Sequence, residues 1–161
     1  MRWIVATIVG VLMANTCTDW TPHLSSDGRG YLWFKSGHAA YRDSYYSPSF
    51  NSTQDSLILY FEVEPESFAE GETVLTSIEM RFAVKDAVPG VRMEQEEKMV
   101  HVSCKDGKGN QTWANKVNGN MLLWRFDSGI VAGQFEYSCS SASSQFKISH
   151  GILDVKVPNL P

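Results

Sequence analysis

The sequence predicts an all-β fold, either an antiparallel β-sandwich or a small β-barrel held by one disulfide. Three observations carry this. Apolar and polar residues alternate with period two through much of the chain, clusters of Gly, Asn, Asp and Ser separate the alternating segments, and no helical start and stop pattern follows residue 18. Five Trp, six Tyr and eight Phe add aromatic bulk suited to strands. With 161 residues, 43% hydrophobic and 20% charged, the chain can close one ordinary core and is not a disordered tail. A net charge of −4 and only 14 basic residues exclude a general nucleic-acid binder, which needs clustered cations to neutralise phosphates.

The first element is an export signal. Arg2 precedes the uninterrupted apolar run 3–13, and no further charge appears until Asp19. The run is about half of the roughly 20 residues a bilayer-spanning helix needs, so no permanent membrane span is expected. Residues 1–18 are therefore assigned to a signal peptide, and 19–161 to one domain. Cleavage after Thr16 would leave Cys17 as the new N-terminus, whereas cleavage after Thr18 would remove it. A lipoprotein would acylate Cys17, but Ala14-Asn15-Thr16 lacks the usual residues before such a cysteine. With Cys17 gone, Cys104 and Cys139 are an even pair in an oxidising compartment, and one disulfide is the simplest arrangement. It would close a loop of about 35 residues, worth roughly 3–4 kcal/mol. Two sequons, at Asn51 and Asn110, suit a secreted glycoprotein.

Within the domain, 19–56 is the least regular part, expected to wrap the sandwich or add an edge strand. Short strands are expected at 31–34 and 57–63. The longest alternation, 74–84, sets Val74, Thr76, Ile78, Met80, Phe82 and Val84 on one face and Leu75, Ser77, Glu79, Arg81 and Ala83 on the other. Further strands are read at 99–104, at 121–126 after an Asn118-Gly119-Asn120 turn, at 134–139 and at 151–157. The charged stretch 92–98 is read as a solvated loop in preference to one or two helical turns. Seven or so strands with this spacing suit a sandwich or small barrel.

The last sixty residues resemble the second half of an immunoglobulin-type domain. The features are Val100-His101-Val102-Ser103-Cys104, then Trp113, Leu122-Leu123-Trp124, Tyr137-Ser138-Cys139 and the closing strand Leu153-Asp154-Val155-Lys156-Val157. The resemblance implies that Cys104 and Cys139 are bridged across two sheets, that Trp113 packs on the bridge, and that Tyr137 ties a corner.

No catalytic motif, cofactor motif or metal-ligand spacing is present. His23, His38, His101 and His150 are scattered. The acid pairs Glu62/Glu64, Glu70/Glu72 and Glu96/Glu97 read as solvated edges, although Glu62 and Glu64 share a strand face and would place two carboxylates together, as a glycosidase needs. The feature that points to function is aromatic. Nine rings lie between Tyr31 and Phe61, and Tyr41, Tyr45 and Tyr46 stand among Arg, Asp, Ser and Pro, the chemistry of a recognition loop. The expected function is a secreted, glycosylated β-sandwich that binds an extracellular or host protein or a glycan, without catalysis or cofactor. The alternative is a small secreted enzyme, or a barrel enclosing a small apolar ligand.

Overall fold

A computed structural model describes residues 29–51, 55–67, 69, 71–95, 99–114, 116–140 and 145–160. The expected signal peptide, Cys17, His23, Glu70, Glu96, Glu97 and the sequon residues Ser52 and Thr53 lie outside them. The described chain is all-β. Ten strands form one antiparallel sheet: β1 (Arg29–Ser36), β2 (Ala39–Asn51), β3 (Ser56–Pro65), β4 (Val74–Ala83), β5 (Arg92–Gln95), β6 (Val100–Lys105), β7 (Gln111–Trp113), β8 (Lys116–Asp127), β9 (Ile130–Ser140) and β10 (Gln145–Lys156), with one 3-10 turn at Val84–Asp86.

The strand order is β5-β8-β9-β10-β1-β2-β3-β4-β6-β7. Two meanders, β1 to β4 and β8 to β10, fuse where β10 pairs with β1 through Leu32↔Leu153 and Trp33↔Ile152. After β4 the chain crosses to the far edge, where Met93 of β5 pairs with Met121 of β8. It returns within five residues, at most about 17 Å of chain, to lay β6 against β4. So short a return forces the two ends of the sheet together, and the Gly90 N–H to Leu123 C=O bond (2.8 Å) fastens the crossing. The sheet therefore curls into a half-barrel around its apolar face. This single ladder differs from the two separate sheets expected of an immunoglobulin-type domain.

Local chemistry explains most elements. Two-residue turns need positive φ, which Gly37 (φ 60) provides between β1 and β2 and Ser128-Gly129 (φ 50 and 75) between β8 and β9. Alternation decides the faces: Phe135, Tyr137 and Cys139 of β9 point inward, and Gln134, Glu136 and Ser138 point outward. On β3, Leu57, Leu59, Phe61 and Val63 fill the same core. Two core rings lie against glycines on neighbouring strands, Tyr137 over Gly119 and Phe135 over Gly151. A Cβ at Gly151 would come within 2.5 Å of Phe135 Cε2.

Several expectations are corrected. The segment 19–56 is not irregular from residue 29 onward, because it supplies β1 and the thirteen-residue β2. Asn118-Gly119-Asn120 is not a turn but lies inside β8, with Gly119 there to clear Tyr137. Residues 92–95 of the expected loop are strand β5. On β4, Ile78, Met80 and Phe82 are buried and Arg81 is exposed, as the alternation requires. Leu75, assigned to the outer face, is instead fully buried. A bulge between Leu75 and Ser77 shifts the phase, so that Thr76 and Ser77 together oppose Ser103.

The glycine–ring contacts give the first prediction. In Gly119→Ala the new methyl would meet the Glu136 carbonyl oxygen and the Tyr137 ring, and backbone cannot yield as a flexible side chain would. Stability should fall by about 1–3 kcal/mol in denaturant unfolding. An unchanged midpoint would show that the ring is not seated there.

Candidate functional site

The three tyrosines of the expected recognition loop lie on a strand, and alternation splits them between faces. Tyr41 is a core residue at 3% exposure. It stacks on Phe34 with ring centroids 4.9 Å apart and planes 3° apart, and its hydroxyl accepts the Leu75 N–H at 3.4 Å. Burial pushes its ionisation upward, the Leu75 hydrogen bond opposes this, and the nearby Glu72 and Cys104 add to the rise. A bulge between Asp43 and Tyr45 then resets the phase of β2. Tyr45 emerges 54% exposed opposite Glu62, while half-buried Tyr46 turns inward over Phe61. Of the three, Tyr45 alone is open to a partner.

The register places Tyr45 at one end of a row across the outer face. Tyr45 faces Glu62, Glu62 faces Ser77, Ser77 faces Ser103, and Ser103 faces Trp113 of β7. The middle of the row is a hydroxyl cluster, in which Ser103 Oγ lies 2.7 Å from both Thr76 Oγ1 and Ser77 Oγ. The bulge on β4 allows it by turning two hydroxyl side chains towards one. Trp113, expected on a core disulfide, is 56% exposed instead. Sequence reasoning missed that Ser77, Ser103 and Trp113 share a register row with Tyr45 and that Thr76 joins its hydroxyl cluster. Their alignment is set by strand pairing and leaves no trace in local spacing. Elsewhere on this face, Tyr31 is 38% exposed, and its phenol is pushed up by desolvation and then by Asp43 and Glu66. Trp33 carries the Lys35 ammonium 5.7 Å from its ring centroid.

The expected disulfide is absent. Cys104 and Cys139 are both buried free thiols. They lie on β6 and β9, which are not hydrogen-bonded neighbours in the curled sheet. Cys104 Sγ meets Thr112 Oγ1 at 3.1 Å. Burial, then the proximity of Cys104, pushes the Cys139 thiol up to about 12. Tyr137 ties no corner either: its hydroxyl is fully buried with no hydrogen-bond partner among the described residues, and burial raises its ionisation far above the ordinary phenol range.

The remaining candidates are dispersed. His38, His101 and His150 are exposed, and no group of three or more His, Cys, Asp or Glu among the described residues could hold a metal ion. Glu62 and Glu64 are exposed on the open outer face, with Arg42 opposite Glu64. Asn51 ends β2 and is exposed. Asn110 is exposed in the β6–β7 turn, where its Nδ2 donates to Asp106 Oδ2 at 2.9 Å. The Asn110 side chain and backbone hold the Asp106 carboxyl below its usual range, with help from the Lys108 N–H. A cleft of about 510 Å³ lies over the ends of β8, β9 and β10, where Lys116, Asn118, Ser138 and Lys147 line it. No described helix is long and apolar enough to cross a membrane.

No protein-family model, no curated protein and no solved structure matches the chain. The candidate site therefore rests on geometry alone.

These placements predict two outcomes. Tyr41→Ala should cost about 3–5 kcal/mol, because it empties a packed ring site. Tyr45→Ala should change stability by no more than about 0.5 kcal/mol, and equal losses in thermal melts would refute the assignment of faces. The second concerns alkali. The Cys139 thiol rises in the folded state from 9.0 to about 12, so the unfolded chain releases that proton first. The stability it contributes is complete below pH 9 and is lost as pH climbs towards 12. Tyr41 and Tyr137 act with the same sign, but from their higher ordinary value of 10.0. Between pH 9 and 10, Cys139→Ala should therefore lose stability less steeply than the unaltered protein. Parallel slopes would contradict the buried thiol.

Proposed function

We propose that this is a secreted, glycosylated β-protein that binds an extracellular protein or glycan through the outer face of its sheet and performs no catalysis. The carrying observation is where the aromatic side chains go. The concave face of the curled sheet is filled by one contiguous apolar cluster, while Tyr31, Tyr45, Trp113 and Trp124 stay exposed. A protein that recognises a partner on its surface needs that division, because large rigid rings give contact area at low ordering cost. A barrel that encloses a ligand needs the opposite, an interior left open. Secretion is supported by the charged-then-apolar start of the chain, and glycosylation by two sequon asparagines that are both exposed. Cell-surface or host proteins and glycans are the partner classes; nucleic acid is disfavoured by the net charge of −4. Sandwich-like packing belongs to the same proposal, with opposite flanks of one curled sheet meeting across a shared core; the single contiguous cluster supports it.

Expression of the full chain in a eukaryotic secretory host tests this reading. Mature protein should appear in the medium, cut after Thr16 or Thr18. A peptide-N-glycosidase mass shift should be halved by Asn51→Gln or by Asn110→Gln. Fluorescently labelled mature protein should bind intact cells, and Tyr45→Ala should weaken that binding without lowering the melting temperature. Retention of the full chain inside the host, or equal binding by Tyr45→Ala, would refute the reading.

A further inference from the structure

We infer that folding itself closes the Asn110 sequon, so that a glycan can be attached there only before the β6–β7 hairpin docks, and that Asp106 is the latch. This rests on the reading of a secreted glycoprotein and adds how one of its two sites is controlled. Three things make Asn110-Gln111-Thr112 an acceptor: the Asn110 amide nitrogen, the Thr112 hydroxyl, and a backbone free to extend into the transferase. The fold engages all three. Asn110 Nδ2 donates to Asp106 Oδ2 at 2.9 Å. The Thr112 hydroxyl lies 3.1 Å from Sγ of the buried Cys104. The backbone is held in a turn, because the N–H groups of Lys108 and Asn110 donate to Asp106 Oδ1 at 2.9 and 2.8 Å. Two main-chain bonds reinforce it, Gly109 N–H to the Asp106 carbonyl (2.9 Å) and Asp106 N–H to the Asn110 carbonyl (3.0 Å). The turn is also seated, since Gly107 lies directly against the Gly71 carbonyl of the β3–β4 connection. Beyond it, Gln111, Thr112 and Trp113 are laddered to β6. Asn110 is exposed, so hydrogen bonding and conformation shut the site, not cover.

Glycan transfer joins the Asn110 amide nitrogen to the anomeric carbon of a lipid-linked oligosaccharide. The carbon–oxygen bond to the lipid diphosphate breaks, its electron pair leaves with the diphosphate, and the amide gives up one proton to that leaving group. An amide bound to Asp106 and a hydroxyl turned onto a core sulfur cannot be presented together to the enzyme that reads both. The latch engages late. A two-stranded hairpin alone is marginal in water, and β6 is anchored by Val100, Val102 and Cys104 in a core that β8 to β10 complete. Those strands run from Lys116 to Lys156, about 40 residues, which take about 2–8 s to synthesise at roughly 5–20 residues per second. Asn110 precedes them in the chain and stays open for that interval. Once the core is complete, transfer tracks only the small population in which the hairpin has opened.

Mature protein secreted by a tunicamycin-treated host, folded and free of glycan, tests the inference. It is offered to a purified single-subunit oligosaccharyltransferase with lipid-linked oligosaccharide, beside the free peptide 105–114, and glycan at Asn110 is read by mass spectrometry. The peptide should be modified at least about tenfold faster than the folded protein. Asp106→Ser keeps an oxygen for the turn N–H groups and leaves none for Asn110 Nδ2, whereas Cys104→Ala frees the Thr112 hydroxyl. Each should speed modification of the folded protein by about threefold or more. Rates are compared at a temperature where circular dichroism shows every variant folded, so that a gain reports release of the sequon and not global unfolding. A folded protein modified as fast as the peptide, or Asp106→Ser modified as slowly as the unaltered protein, would overturn the latch. If the full chain secreted by an untreated host carries glycan at Asn110 and the folded protein still reacts at the peptide rate, the latch falls and the glycoprotein reading stands. If that chain carries no glycan at Asn51 or Asn110, the glycoprotein reading falls, and the rate comparison decides the latch on its own.

Discussion

The ladder between β10 and β1 joins the two ends of the described chain, and the rest of the architecture depends on it. Each meander alone has one apolar face and nothing to cover it. Paired through Leu32↔Leu153 and Trp33↔Ile152, they become one sheet long enough to curl over its own side chains. The pairing costs the closure entropy of nearly the whole chain, so it forms only because the joined face buries a single continuous cluster. The excursion of β5 to the β8 edge works in the same direction, as its short connections hold the two flanks together.

Curling around a core imposes a strict rule on every strand: a residue is inside or outside, and only a bulge can change which. Three bulges decide what the outer face carries. The one on β2 separates Tyr45 from Tyr41 and Tyr46, and the one on β4 turns Thr76 and Ser77 towards Ser103. The third, on β8 between Leu123 and Arg125, shifts the phase after exposed Trp124, so that Phe126 packs against the core. Without these phase changes the rings and hydroxyls of the outer row would be distributed differently. Bulges are thus where the fold converts a structural pattern into a surface with chemistry.

The interior has its own signature. Tyr137 and Phe135 occupy the space left by Gly119 and Gly151, so ring size on one strand is matched by absence of a side chain on the next. The two thiols end up in the same apolar cluster without a bond between them. A Tyr137 hydroxyl with no partner among the described residues is a cost, offset by the area its ring buries.

Much of this was legible along the chain. The strands at 57–63, 78–82 and 134–139 follow from period-two alternation alone, since a half-buried strand must alternate to keep one face dry. The all-β class follows from the same pattern, whereas Tyr45 reads as exposed from its Arg, Asp, Ser and Pro neighbours and is brought outside by a bulge. What could not be read were events that depend on a partner strand. A one-residue bulge shifts the phase without altering composition, so Leu75 looked external and Tyr41 looked accessible. Gly119 resembled a turn residue because the ring that requires it, Tyr137, arrives from another strand. With Cys17 removed, one disulfide was the simplest arrangement, but cysteine parity says nothing of which strands pair, and Cys104 and Cys139 lie on strands that are not hydrogen-bonded neighbours. The sequence by itself determined which segments are strands and which side chains seek the core. Tertiary structure alone decided that Tyr45 and Trp113 share one row, because neighbourhood across a sheet is fixed by long-range hydrogen bonding between backbones, to which side-chain order along the chain is blind.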